Sequence, residues 1–511
     1  MGYKEILLAL PPDFNHELIS AEIKKKLSSA NFTFSIENMS LDARNKKNIH
    51  WETKILIFSE ELPGTDLIKQ PVLNIEYKKR NKKAVIAGSG PAGYFCALVL
   101  QKAGFSTTII ERGQNIDKRK ISIKNFESGA LFNTEGNYAF GEGGAGTFSD
   151  GKLTSRSKHI SEERKFIFNT YIKAGAPAEI KYLNHPHLGS DHLENIIKNL
   201  REEYQSLGGI IKFETCLLDF KSSGGKVNEI ITNQGVFSDD LYIIAPGNSA
   251  YDTYRMLLKN GVPFRCKNFA LGCRVEHEQS LINKAQWGRE NIPGLKAAEY
   301  RLTSSPGGCL PVYTFCMCPG GKIVYSAAYK NSCTVNGMSN YLRNGIYANA
   351  GCVAGINPAQ LENRNFSALQ ILDWLERMEK NFYAHTGSYK IPACTISDFI
   401  KHKKSVNLKN TSYPLGLVPA PLWQMLPAEV SKSLKAGLAD FSVKIKGFEN
   451  GLIMGLESKT SSPIQAVREK NMLCSGFDNL YISGEGSGYS GGIVSSAADG
   501  IKTALQIIKL N

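Results

Sequence analysis

Asp150 and Lys152 close the stretch FGEGGAGTFSDGK (residues 140–152), which holds glycines at 141, 143, 144, 146 and 151. A loop so poor in side chains lets a bound molecule approach its backbone, and successive N–H groups in such a loop form a nest for an anion. A lysine at its end suits holding an anionic substrate or polarising a carbonyl; an ion pair with a neighbouring acid is its plainer role. Cys316 and Cys318, in TFCMCPGG, stand two apart, so a regular strand points both to one side. A redox dithiol is more usually CxxC at a helix start, and zinc or iron–sulfur needs ligands that the nearby Cys309 alone does not supply. No metal is expected, and the two thiols read as small packing residues or as substrate-facing groups. His187 sits with His185 and His192 in NHPHLGSDHL. Helix entry capped by Ser190 or Asp191 explains that cluster; its functional counterpart is His187 as a proton donor, with His277 of RVEHEQ in the same position.

The elements that would position these groups begin with AVIAGSGPAGYFCALVLQKAG, an apolar strand, a glycine turn and an apolar helix, followed by the strand STTIIERG. Gly88, Gly90 and Gly93 have the spacing of a dinucleotide turn, and Glu111 closes the next strand twenty-three positions after Gly88. Gly88 makes the turn, Gly90 lets the backbone reach a pyrophosphate, and Gly93 lets helix pack on strand. The helix N-terminus offers free N–H groups to phosphate. Glu111 accepts from ribose hydroxyls and would repel a 2′-phosphate; Arg112 is its neighbour.

The end of the chain separates FAD from NAD. LYISGEGSGYSGGI reads as strand, acid and glycine-led helix, the order that glutathione-reductase-type flavoproteins use to close their cofactor site. Gly484 and Glu485 stand where that group has its ribityl-binding acid, more usually an aspartate. Gly492 and Ile493 open the last helix, whose positive end favours an anionic flavin edge. IIAPGNSA, with Gly247, resembles the same group's second strand-end motif, Pro246 replacing a threonine, and Leu217 lies in the strand IIKFETCLLDF. FAD is the expected cofactor, with Gly143, Gly144 and Gly146 completing its cradle from the other side.

Residues 1–80 read as a small α/β domain without chemistry, with Asn15 capping its helix. Residues 81–258 form the first part of the cofactor domain, 259–440 an inserted, less periodic substrate domain, and 441–511 the return to the cofactor domain. The expected class is α/β: a glutathione-reductase-type, Rossmann-like FAD domain, an inserted α+β domain and a small N-terminal domain. The net charge of +14 raises nucleic-acid binding, yet Lys and Arg are interleaved with acids along the chain. The densest run, KKRNKK, reads as a solvated linker, so nucleic acid is an unfavoured partner. Eleven cysteines without a CxxC pair, and no leading apolar run long enough for export, point to a reduced, cytoplasmic protein with no membrane span.

Longer stretches resemble one family, the FAD-dependent dehydrogenases sometimes labelled NAD(FAD)-utilising dehydrogenases. They are GEGGAGTFSDGKL, PHLGSDHL, RVEHEQ, VYTFCMCPGG, NGMS, KTSSPIQAVRE and GEGSGYSGGI, spread over nearly the whole chain. The resemblance implies the FAD fold with an inserted substrate domain and leaves the substrate open. Lys459 stands where the family has arginine, and YSAAYKNSC lacks its acidic segment; such positions face the substrate or the domain seam, and Ser462 joins the substrate candidates. The expectation is hydride transfer between flavin and a small organic molecule at a C=C or similarly polarised bond. With no second βαβ unit built on a GxGxxG turn, NAD(P)H as electron partner would visit the same open face. Rival readings are an O2-using flavin monooxygenase or oxidase, an RNA-binding flavoprotein, and a non-catalytic redox sensor.

Overall fold

A computed structural model describes residues 2–27, 31–63, 72–363 and 365–511. The strand Lys83–Ala87 is buried from Ala84 onward, and its apolar run suits the centre of a parallel sheet covered on both faces. Five parallel strands lie in the order Leu480–Ile482, Leu241–Ile244, Lys83–Ala87, Ser106–Ile110, Ile210–Lys212. The last helix, Ile493–Leu510, packs on Pro91–Lys102 with almost no space between backbones. A Cβ on Gly500 would fall 2.1 Å from the Ala92 carbonyl oxygen. Gly93 is bound as tightly on the sheet side, where a Cβ would lie 1.9 Å from the oxygen of Gly88.

The segment expected as one strand at IIKFETCLLDF is two. Ile210–Lys212 joins the parallel sheet, and Leu217–Ser223 pairs with Lys226–Thr232 in a separate antiparallel sheet. Between them Glu214 takes a φ of +54°, which turns the chain out of the first sheet.

A second sheet of seven strands carries the other large core, with Tyr347–Ile356, Phe269–Glu278 and Leu452–Glu457 at its centre. Nine of the ten residues of Phe269–Glu278 are buried, so the strand shows no alternation, which is why the region reads as aperiodic. Leu452–Glu457 pairs with this sheet, and the helix Ala428–Lys444 packs beside it, so the sheet draws on chain beyond the boundary expected at 440.

Gly2–Leu10, His50–Ser59 and Thr33–Asp42 form a three-stranded antiparallel sheet covered by His16–Lys26, whose cap is the Asn15 side chain accepting from Leu18 N–H. Ile6, Leu8, Ile19, Ile23 and Ile55 give it a small core of its own. It is tied to the rest where Met39 N–H donates to Tyr182 O (2.7 Å) and Asn184 N–H to Met39 O (3.0 Å). No helix among the described residues is long and apolar enough to cross a membrane.

Candidate cofactor and substrate cavity

The cavity, about 1340 Å³, opens where the ends of the parallel strands meet the seven-stranded sheet. Its size exceeds the ~300–1,000 Å³ of a usual small-molecule pocket, enough for a dinucleotide and a second molecule. Gly88, with φ +109°, and Gly90 form its floor beside the first turn of Pro91–Lys102. No side chain caps that helix or Ile493–Leu510, so their first N–H groups and positive dipole ends are left for an anion. Gly484, Glu485, Gly492 and Ile493 line the same wall, with Leu217 and Gly247.

The glycine-rich loop comes from the opposite side. A Cβ on Gly144 would stand 3.0 Å from the Gly90 Cα, so the two glycine turns meet face to face. Gly146 lines the cavity; Gly143 lies behind the wall and turns the chain against Thr147. Gly93 also lies outside the wall, in the helix–strand contact.

Three groups hold this cradle, Glu111 and Arg119 buried and Arg112 half-buried. Glu111 accepts from Ser89 N–H (2.9 Å), Ser89 Oγ (2.8 Å), Gly113 N–H (2.8 Å) and Gly141 N–H (3.2 Å), joining both glycine turns through one carboxylate. Arg112, which lines the cavity, donates to both carboxylate oxygens of Asp252 at 2.9 Å and lies over the Phe140 ring at 4.0 Å. Arg119 is fully buried and donates to the carbonyls of Asn137 (2.8 Å), Tyr138 (3.1 Å), Glu142 (2.8 Å) and Gly144 (2.9 Å). Burial pulls its pKa down to about 10, against the attraction of Glu111 and Glu142. Nothing in the sequence marks Arg119, an arginine on an ordinary amphipathic helix.

Beyond the cradle the cavity holds the candidate chemistry. Lys152 Nζ donates to Asp150 (2.8 Å) and to the Met317 carbonyl. Asp150 is 1% exposed and also accepts from Ser339 Oγ and from Arg343 Nε (3.0 Å) and Nη2 (2.5 Å). Burial disfavours its charge, but Lys152 and Arg343 outweigh this and hold the carboxyl well below the usual carboxylate range. Burial likewise opposes the charge on Lys152, and Asp150 more than restores it. Asp150 and Lys152 are therefore a fixed ion pair at neutral pH, so Lys152 supplies positive charge and hydrogen bonds. Glu485 differs: burial lifts its pKa to about 7, against Lys267, the Gly492 N–H and Lys459.

Cations outnumber acids around the cavity. Arg112, Lys152, Arg156, Arg301, Arg343 and Lys459 face it, against Glu111, Asp150, Glu299 and Glu485. Lys459 pairs with buried Glu379 (2.9 Å) and touches the Tyr251 hydroxyl (2.5 Å). Arg112 Nε lies 3.8 Å from Glu135 Oε2, and the Thr460 hydroxyl is buried without a hydrogen-bond partner.

Cys316 lines the cavity and Cys318 lies behind it, because the strand Val312–Cys318 slips register between Phe315 and Cys318. His187 is buried outside the wall, its Nε2 3.0 Å from the Tyr341 carbonyl, and burial pushes its pKa down to about 3. His187 and His192 both stack on Tyr341, a packing arrangement. The helix Gly189–Ser206 has no side-chain cap; Asp191 accepts from Tyr341 N–H instead. His277 is buried against Phe448, with Nε2 2.8 Å from its carbonyl. Ser462 turns its hydroxyl to Ile464 O (2.9 Å) and lies outside the wall, which its neighbours Thr460 and Ser461 line.

Residues 268–460 match the family model described as "FAD-dependent protein, C-terminal domain-like". An uncharacterised protein of Clostridium beijerinckii is 37% identical over 526 aligned residues, covering 99% of this chain and 98% of that protein. Among solved structures, CtdE in complex with FAD is 10% identical over 84% of both chains, with a TM-score of 0.36. Glycine oxidase from Bacillus cereus is 11% identical over 84% of this chain and 95% of its own, with a TM-score of 0.33.

Proposed function

Because the chain belongs to the family of FAD-dependent dehydrogenases, with FAD its cofactor, we propose that this oxidoreductase passes hydride to or from a small anionic organic molecule at a C=C or similarly polarised bond. The observation that carries the reading is the single cavity that continues from the two glycine turns to Lys152 and the Arg343–Asp150 pair. Bound FAD supplies the two-electron chemistry. In this reading the helix ends at Pro91 and Ile493 take the negative charge of the cofactor, and Gly88, Gly90 and Gly144 let its phosphates touch the backbone. The glutathione-reductase-type placement of FAD belongs to the same proposal and is supported by the strand order and the glycine-led final helix.

Lys152 then binds the substrate's anionic group or polarises its carbonyl, while Asp150 and Arg343 fix its position. Glu485, with a pKa near 7, is a cavity group able to hold or release a proton at neutral pH. Without a second βαβ dinucleotide unit among the described residues, NAD(P)H as donor shares the open face with the substrate, giving ping-pong kinetics.

Anaerobic mixing of the FAD-loaded protein with NADH and with NADPH tests the reading, followed by reoxidation with a panel of enoates and enones. Flavin bleaching by one nicotinamide and recovery by an enoate are expected. If neither nicotinamide bleaches the flavin and no enoate reoxidises dithionite-reduced protein, the reading fails.

A further inference from the structure

Two thiols meet at the cavity wall beside the ion pair of Asp150 and Lys152. The strand Val312–Cys318 pairs regularly with Tyr347–Ile356 as far as Phe315, then resumes only at Cys318. At the break Cys316 takes a φ of +44°, a left-handed conformation found for only a few per cent of non-glycine residues. In a regular strand the side chains of residues i and i+2 stand parallel with their backbones about 6.6 Å apart. Here the bulge folds Cys318 back, so that its thiol donates to the Cys316 carbonyl oxygen at 3.4 Å.

Their surroundings differ. Cys316 is half-buried and faces the cavity, whereas Cys318 is wholly buried behind it. Arg274, itself buried, donates to Cys316 O (2.6 Å) and places Nη2 3.5 Å from Cys318 Sγ. Lys152 donates to the carbonyl of Met317, the residue between them. The neighbouring Cys318 lowers the Cys316 pKa, burial opposes it, and Lys152 and Arg274 add to the lowering, so Cys316 lies below the ordinary thiol range. Its Cys316 partner and burial push Cys318 the other way. The acids facing Cys316 are Asp150, Glu457 and Glu485, and the first two are each paired with an arginine.

We propose that Cys316 and Cys318 form a thiol–disulfide exchange pair, with Cys316 attacking a small organic disulfide that enters the cavity and Cys318 resolving the product. Attack by the accessible, thiolate-rich partner followed by closure from the buried one is the division of labour that such exchange requires. The Cys316 thiolate bonds to one sulfur of the disulfide, whose S–S bond breaks and releases one thiolate. Cys318 then loses its proton and attacks the Cys316 sulfur, releasing the second thiolate. The two cysteines lose two electrons and two protons together; the organic disulfide gains them and leaves as two thiols. Arg274 and Lys152 stabilise the transient negative charge on either sulfur. This exchange draws no electrons from FAD, so it stands or falls apart from the hydride reading.

The test uses FAD-loaded protein and 2-hydroxyethyl disulfide at pH 6.5, with acid quenching, alkylation of remaining thiols and mass mapping. Wild type should lose the mass of two hydrogens within the peptide holding Cys316 and Cys318. Cys318→Ser should instead retain a mercaptoethanol adduct on Cys316, and Cys316→Ser neither product. An independent measurement needs no variant: iodoacetamide should alkylate Cys316 in untreated wild type about tenfold faster than Cys309 or Cys216 at that pH. Wild type that stops at the mixed disulfide, an unmodified pair, or a Cys316 no faster than Cys309 would overturn the proposal.

Discussion

Lys152 is charged, fixed by Asp150 and partly open to the cavity, so its removal should be felt by ligand charge. Lys152→Met is expected to weaken binding of a carboxylate substrate about tenfold, or about 1.4 kcal/mol, while leaving a neutral ester analogue nearly unchanged; flavin titration with the acid and ester pair measures this. Equal loss for both would take the lysine off the anionic group and leave it the carbonyl or loop packing. Arg119 works through the loop. Arg119→Gln leaves several of its four carbonyls unpaired, should destabilise the protein by about 3–5 kcal/mol, and should release FAD on gel filtration while buried Arg274 and its sheet stay folded. Retained FAD with an unchanged melting temperature would refute this role.

At the level of elements, Gly93→Ala forces a methyl into the Gly88 carbonyl, so the strand–turn–helix unit must open. A loss of about 1–3 kcal/mol is expected, read as a lower Tm together with weaker FAD retention; a Tm equal to wild type counts against the packing role. His277 gives the strand Phe269–Glu278 a pH dependence, since burial lowers its pKa from 6.5 to about 4. The unfolded chain binds the extra proton first, so this contribution is complete above pH 6.5 and is lost progressively as pH falls towards 4. Relative to His277→Gln, wild type should lose about 2 kcal/mol between pH 7 and pH 5; parallel denaturation curves at both pH values would contradict it. The first strand, turn and helix of the cofactor domain were legible because apolar runs and glycine spacing are local signals. The seven-stranded sheet was not, because strands covered on both faces lose alternation and one of them, Leu452–Glu457, returns from far along the chain. For the same reason Arg343, distant in sequence from Asp150, left no mark, and the shared face expected for Cys316 and Cys318 gave way to a bulge that tertiary contacts impose.

Across the whole molecule, the N-terminal sheet borders the cavity: Met39 bonds to Tyr182 and Asn184, and Asn184 lines the wall. Removing residues 2–60 should leave FAD bound but speed amide exchange at Asn184 by about tenfold, which hydrogen-exchange mass spectrometry resolves. Unchanged exchange there would show that the two units touch without support.

The order of the strands also bears on how the protein is made. Leu480–Ile482 completes the parallel sheet, and the eighteen residues of Ile493–Leu510 cover Pro91–Lys102, whose turn was synthesised some four hundred residues before. The seven-stranded sheet has all its strands by Glu457 and is free to fold on the ribosome. The cofactor cradle, in contrast, stays open until Gly492 and the helix that follows it have been made. A chain cut before Gly492 lacks that wall and its helix end, so it is expected to stay colourless where the longer one is yellow.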